Sequence, residues 1–378
     1  PSDFLQPKPR VPERVAFLGH FIDPTFFGRH EPALARFSPD QLQSLINRTW
    51  EWTDPCLFVS RDITSTTGAK VNFNFIGLSI TSGILVEHLR RHDLEPVRAL
   101  IRKAMETARD HGCRLVGFGQ FTSIVTRNCL EVVLPPLACT SGNSLTVGVA
   151  IRALERAAAR RGVPICALPV AILGAGGNVG STYARLLADQ AGSLTLIGGS
   201  GRDSQKRLRR TLALILRDQA RNLASGTRIG PIAEKLREFP AFKLHQQDFS
   251  ALNMDDSSIE ILLGQLGDTF TESGPVRLGQ ISSCRTCKAI VTATNTAEPI
   301  VFPDHVLPGT IICDISIPSA VSREVASMPG VEVFKGGVVA LPNHELLNIG
   351  ALQLEPGLVY ACMAETILLG LEQHWKDF

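Results

Sequence analysis

The chain has 378 residues, 44% hydrophobic and 20% charged, with 38 Lys+Arg against 36 Asp+Glu and a net charge of +2. This is ordinary globular composition and excludes a disordered or fibrous protein. A near-zero charge offers no bulk basic field for a nucleic-acid partner, and no apolar run reaches the roughly 18 residues that cross a bilayer. At about 150 residues per domain, the length predicts two or so domains. Pro1-Ser2-Asp3-Phe4 has no basic or apolar character of a secretory signal, and a start without Met fits processing or excision from a longer chain. Nine Cys is an odd number in a chain long enough to build its own core. The reading is a reduced, cytoplasmic protein with mostly buried thiols.

Pro7, Pro9 and Pro12 give the start the look of an extended arm. Val15 to His20 is an apolar run ending in a glycine turn, and Val71 to Ile76 alternates as a strand. Leu94 to His111 has helical spacing and stops at Gly112. Leu115 to Val125 reads as a strand, and Leu145 to Arg161 as a helix closed by Gly162. The first 165 residues therefore look α/β. Pro169 to Leu173 is a buried strand leading into Gly174-Ala175-Gly176-Gly177-Asn178-Val179-Gly180, then a helix from Ser181 to Ala188 and a strand from Ser193 to Ile197. A basic helix runs from Gln205 to Leu223. Residues 225–279 are less regular, rich in turn formers apart from a helix at Ile259 to Leu266, and read as an insertion. Alternation returns with Ala289 to Thr294 and Thr310 to Ile315. The last element reads as a helix opened by Pro356 in its first turn.

A glycine turn between a strand and a helix is the context in which a dinucleotide fingerprint has meaning. The first glycine makes the tight turn, the middle ones admit a pyrophosphate, and the last lets helix pack on strand. The helix N-terminus then favours the anion. Gly174, Gly176, Gly177, Asn178, Val179 and Gly180 are accordingly assigned to the cofactor, together with Thr294 at the end of a later strand. NAD enzymes usually place a carboxylate at the end of the second strand to hold the ribose 2′-OH. Here that position reads Gly198-Gly199-Ser200-Gly201-Arg202, with no carboxylate before Asp203. Ser200, Arg202 and Arg207 suit a 2′-phosphate instead, which favours NADPH.

Cys284-x-x-Cys287 is one pair where a structural zinc site needs four ligands, so it reads as a surface turn and no metal is expected. Cys362 shares a helical face with Leu358, Val359 and Leu369. Spacing alone makes it either a core thiol or a nucleophile about two turns into its helix, too deep for the helix dipole to activate. His20, at a strand end, is a candidate acid or simply a packed histidine. The segments Gln120 to Ile124 and Thr140 to Ser144 are small and polar. They suit hydrogen bonding to a substrate carbonyl, with Ser123 and Asn143 as the chosen residues, or equally helix caps.

Taken in order, Phe17 to His20, Thr64 to Gly68, Gly119 to Ile124, Thr140 to Asn143, Gly174 to Gly180, Gly336 to Val339 and Ala361 to Glu365 resemble the long-chain acyl-[acyl-carrier-protein] reductases. The resemblance implies an α/β substrate domain at 1–165 and a Rossmann NADPH-binding domain at 166–344 with its insertion near 225–279. It also implies a C-terminal helix, 345–378, that returns to the substrate domain with Cys362 as the acyl-accepting nucleophile. Hydride from NADPH would reduce the acyl-Cys to an aldehyde. The substrate would be a thioester of acyl carrier protein or CoA, and a fused or downstream enzyme would use the aldehyde. The long segment after Arg210, the run Ala340 to His344 after the valines and the short tail after Cys362 depart from the family pattern, and fit a divergent member or one domain of a larger chain. Two alternatives share these features. One is a shikimate-dehydrogenase-like enzyme without covalent catalysis; the other is an NADPH-binding module that docks an acidic partner through its basic helix.

Overall fold

Strand–helix alternation becomes two α/β units in a computed structural model of the chain, which describes residues 12–378 apart from 268–269, 271–272, 297, 343–346, 348 and 350–353. The start of the proline arm and His344 lie outside the described residues. One unit comprises residues up to Thr146 together with Val338–Phe378, and the other Val147–Gly337. The first boundary falls inside the helix Asn143–Arg160 rather than at 165. The reason is packing: Val147, Ala150, Ile151 and Leu154 belong to the apolar core of the second unit.

The first unit is built on β1 (Glu13–Phe21), β2 (Cys56–Thr64), β3 (Lys70–Thr81), β4 (Cys113–Phe118) and β5 (Ala138–Thr140), in the order β2-β3-β1-β4-β5. Only the β2–β3 pair is antiparallel. Strand alternation sends Ala16, Leu18, Val116 and Phe118 to one face, where the helix Glu95–Asp110 covers them with Val97, Ile101 and Met105. Val15, Phe17, Phe73 and Leu115 point to the other face, which is covered by the C-terminal helix Ala361–Leu371 through Met363 and Ile367. Two elements differ from the sequence reading. The strand predicted from Leu115 to Val125 ends at Phe118, and Phe121–Val125 is a short helix after a tight turn. The helix predicted from Pro356 begins only at Ala361, because Gly357 takes φ +86° and Leu358–Tyr360 forms a strand.

The second unit holds β6 (Pro169–Leu173), β7 (Ser193–Ile197), β8 (Val276–Gly279), β9 (Ala289–Thr292), β10 (Ile311–Asp314) and β11 (Glu332–Lys335). Every pairing is parallel and the order is β8-β7-β6-β9-β10-β11. Numbered from β6, that is 3-2-1-4-5-6, the doubly wound dinucleotide-binding order. Both faces are apolar, with Val170, Ile172 and Val291 on one and Ala171, Leu173 and Ile290 on the other, as a parallel sheet covered on both sides requires. The helix expected at Ile259 to Leu266 forms at Asp256–Gly264, and the irregular stretch before it is helical too: with Pro231–Glu238, Pro240–Leu244 and Gln246–Ala251 it buries Ile232, Phe242, Phe249 and Ile259 in that core. Two of the prolines that look like breakers start these helices at their first position, where proline costs nothing. Finally, β12 (Val338–Ala340) and β13 (Leu358–Tyr360) pair antiparallel in the first unit.

Candidate active site

In the second unit, the turn after β6 crosses the carboxyl end of the sheet. Gly174 takes φ +81°, and a Cβ there would lie 2.2 Å from Ala293 O at the end of β9. The turn is tied to β7 by Gly174 N–H to Ile197 O at 2.9 Å. The following helix, Asn178–Leu187, has Gly177 as its N-cap, which supplies no side-chain cap. Gly180 packs so closely that a Cβ would meet Gly174 O at 2.2 Å. Val179 is partly buried and Asn178 exposed.

The long helix Arg202–Ser225 leaves β7 through Gly198 to Gly201. Arg202 is its first residue, and a Cβ on Gly176 would lie 3.3 Å from Arg207 Cβ, so the Arg207 stem borders the glycine turn. Ser200, Arg202 and Arg207 are exposed, and among the described residues neither arginine has an ion-pair partner. Three other basic side chains of the helix are engaged: Lys206 pairs with Asp256 and Arg209 with Glu260, while Arg210 donates to Met254 O. The basic run is therefore partly a buttress for the inserted helices and not wholly a solvated face. Thr294 lies just after β9, donating its N–H to Ser316 Oγ at 3.0 Å. Beside it, Asp314 is 1% exposed and accepts from Thr292 Oγ1, Ser319 Oγ and Lys335 Nζ at 2.6, 2.6 and 2.7 Å. The sequence reading missed this group; its only signal was a carboxylate ending the apolar strand Ile311–Asp314.

In the first unit, Cys362 is the second residue of its helix, not two turns in, so it lies at the positive end of the helix dipole. The helix runs antiparallel to β4 and lies close because glycines face it. A Cβ on Gly142 would lie 2.2 Å from Cys362 Cβ, and one on Gly117 would lie 1.8 Å from Thr366 Oγ1, one turn further along. Gly142 takes φ +72°. Glu365 locks this contact: its carboxylate, 3% exposed, accepts from Thr140 Oγ1 and from the Leu145 N–H at 2.6 Å. Leu145 is in the first turn of the helix Asn143–Arg160, so Glu365 satisfies an amide that the helix leaves unpaired. The Cys362 thiol packs against the apolar cluster of Phe17, Phe75, Val359 and Met363. Burial pushes it up to about 12, with Glu365 adding to the rise, while the Met363 and Cys362 amides act in the other direction. The resting thiol is neutral.

The polar candidates fare differently. Ser123 is buried in the helix Phe121–Val125 and donates to Gln120 O at 3.0 Å. Asn143 Nδ2 donates to Asn128 Oδ1 at 3.2 Å. His20 is not placed to be the acid. Its Nδ1–H donates to Phe21 O at 3.0 Å, leaving Nε2 to accept the Phe121 N–H at 3.4 Å. Burial lowers its pKa to about 4, so it is neutral near pH 7. Alternation along β1 also turns it to the face of Ala16 and Leu18, against Phe121, while the cysteine helix covers Val15 and Phe17. Cys284 and Cys287 are not on a surface turn: both are buried in the second unit, and burial pushes the Cys284 thiol up to about 12. Among the described residues no group of three or more His, Cys, Asp or Glu is arranged to hold a metal ion, and no helix is long and apolar enough to cross a membrane.

No family model matches the chain. It is 25% identical over 293 residues to the aminotransferase PigE of Serratia sp. (strain ATCC 39006), a match covering 76% of this chain and 27% of that protein. Over 146 residues it is 30% identical to the long-chain acyl-[acyl-carrier-protein] reductase of Synechococcus elongatus, covering 36% of this chain and 42% of the relative. The chain thus spans about a quarter of the first relative's length and two fifths of the second's. Among solved structures it is similar to shikimate 5-dehydrogenase from Listeria monocytogenes, with TM-score 0.31, 11% identity and 86% of each chain covered. Glutamyl-tRNA reductase from Methanopyrus kandleri gives TM-score 0.27 and 15% identity, with 80% of this chain and 66% of that one covered. The strand order, not these scores, carries the fold: the second unit is a Rossmann domain of the kind NAD(P)-dependent oxidoreductases use.

Proposed function

We propose that the chain is an NADPH-dependent reductase of acyl thioesters that forms an aldehyde through an acyl-Cys362 intermediate. The observation that carries this reading is the seat of Cys362. It lies at a helix N-terminus, in contact with the loop after β5 and beside an apolar cluster that suits an acyl chain. The partial likeness to an acyl-[acyl-carrier-protein] reductase supports it. The match to a quarter of an aminotransferase fits an aldehyde product, since transamination consumes carbonyl compounds.

The second unit fits a nicotinamide dinucleotide. The turn Gly174 to Gly177 leads into the N-terminus of the helix Asn178–Leu187, whose first-turn amides at Val179 and Gly180 suit a pyrophosphate, and Thr294 lies just after β9. Arg202 and Arg207, without ion-pair partners among the described residues, and Ser200, with no carboxylate ending β7, suit a 2′-phosphate and favour NADPH. Bound there, NADPH would supply the hydride that turns a Cys-bound acyl group into a hemithioacetal.

The chain's own residues do the rest. Cys362, once deprotonated, attacks the thioester carbonyl carbon; a C–S bond forms to Cys362 and the carrier thiol leaves with the proton. The amides of Cys362 and Met363 stabilise the thiolate against the cost of burial. Glu365 holds Thr140 to Leu145 so that Gly142 stays against the cysteine. After reduction, protonation of the hemithioacetal and rupture of its C–S bond release aldehyde and the free thiol. The substrate class is a fatty acyl thioester of an acyl carrier protein or CoA, placing the chain in the cytoplasm beside an aldehyde-using enzyme. Single turnover with labelled acyl thioester tests the route: Cys362→Ala gives neither adduct nor aldehyde, and aldehyde at near wild-type rate refutes it. Buried Asp314, paired with exposed Lys335 at the carboxyl ends of β10 and β11, favours a second reading, direct hydride transfer to a small carbonyl compound; an acyl adduct on Cys362 excludes that reading.

A further inference from the structure

Gln120 stands out on independent grounds. The turn Gly119 to Thr122 closes through Thr122 N–H to Gly119 O at 3.1 Å. Gln120 is its first central residue, at φ 56° and ψ −130°. That is the glycine position of a type II′ turn, and a side chain there is strained. The turn is held from several sides: Thr122 Oγ1 accepts from Gly119 N–H, and Ser123 Oγ donates to Gln120 O. The second observation is that both carboxamide atoms of Gln120, Oε1 and Nε2, are sealed from solvent and have no hydrogen-bond partner among the described residues. Burying an amide without partners is costly. A fold that strains its backbone to seat such a group leaves it unpaired until a ligand arrives.

Position says which ligand. Gln120 follows β4, and the loop that touches Cys362 follows the neighbouring parallel strand β5. Gly117 and Thr140 are register partners, and Thr366, one helical turn from Cys362, lies over Gly117. Gln120 and Cys362 therefore share the carboxyl end of β4 and β5 within one unit. Three other polar side chains there are committed: Ser123 to Gln120 O, Asn143 to Asn128, Thr140 to Glu365.

We propose that Gln120 is a substrate-binding catalytic residue whose Nε2–H donates to the carbonyl oxygen of the acyl thioester and holds the negative charge that develops there when Cys362 attacks. The inference rests on the thioester reading and replaces Ser123 and Asn143 in that role. No bond to Gln120 forms or breaks.

The test isolates acylation by following the mass added to Cys362 on mixing with acyl-CoA in the absence of NADPH. Gln120→Gly removes the carboxamide and relieves the strained φ together. It should acylate about 100- to 1,000-fold more slowly than wild type, the loss typical of a missing oxyanion donor, while its melting temperature is unchanged or higher. Alkylation of Cys362 by iodoacetamide, which develops no carbonyl oxyanion, should stay within about threefold of wild type. Acylation within about threefold of wild type, or acylation and alkylation falling together, overturns the role of Gln120. A wild-type protein that acylates with no thioester, acyl carrier substrates included, overturns the thioester reading itself. The two failures are told apart by the wild-type arm.

Discussion

Replacing Glu365 with Gln perturbs stability and thiol chemistry in opposite senses. Glu365 accepts the Leu145 N–H at 2.6 Å and the Thr140 hydroxyl. Hydrogen bonds to a charged group are worth about 1.5–3 kcal/mol against about 0.5–1.5 for neutral ones, so a carboxamide in its place destabilises by about 1–3 kcal/mol. The same change removes a negative charge one helical turn from Cys362, where side chains lie about 6 Å apart. At an effective dielectric of about 20 that charge opposes the thiolate by about 3 kcal/mol, roughly a hundredfold in thiolate population. The assay is the pH–rate profile of iodoacetamide labelling, read by peptide mass at Cys362 so that exposed Cys56 and Cys166 do not interfere. With the wild-type thiol near 12, its labelling should climb with pH through 9 without a plateau. Glu365→Gln should label about 10- to 100-fold faster at pH 8 while unfolding at lower urea. Thr140→Val keeps the charge and loses the hydrogen bond, so it should unfold earlier without labelling faster. Equal acceleration in both variants would mean that loosening, not charge, exposes the thiol; no acceleration in Glu365→Gln refutes the electrostatic argument.

Two further outcomes are expected. Arg207→Ala should weaken NADPH binding about 10- to 100-fold and leave NADH nearly unchanged in fluorescence titration, since one charge-assisted contact is lost; equal weakening of both excludes a 2′-phosphate role. His20, with its pKa lowered from 6.5 to about 4 by burial, is neutral when folded and takes a proton on unfolding at intermediate pH. Its contribution is complete above pH 6.5 and is lost as pH falls through 4, about 3 kcal/mol over that window. Urea midpoints at pH 7 and 4.5 should therefore differ less in His20→Gln than in wild type, and an equal difference refutes it.

Much of the second unit was legible. The strand, glycine turn and helix around Gly174 are local in sequence, and their order predicted the Rossmann sheet that the β-pairings display. Of the helices at 231–264 only the last was legible, as the run Ile259 to Leu266; the three before it were not, because pieces of 5 to 8 residues carry too little periodicity and prolines at the start of two imitate breaks. At the candidate site, the cysteine was visible as a residue but not as a helix N-terminus. Its setting depends on Gly357 leaving the helical region and on β13 pairing with β12, residues 338–340. His20 looked catalytic because it ends a strand, and only the pleat shows that it faces away from the cysteine helix.

The near-neutral charge, the α/β alternation and the glycine turn are settled by composition and local spacing, because each depends on residues within a few positions of one another. The tertiary structure alone decides which polar groups are spent. Glu365 meets Leu145 across 220 positions of sequence, Asp314 meets Lys335 across 21, and the Gln120 carboxamide has no hydrogen-bond partner among the described residues. A hydrogen bond between distant residues, or the lack of one at a buried amide, has no periodicity to betray it; it exists only once the sheet has placed the ends of its strands side by side.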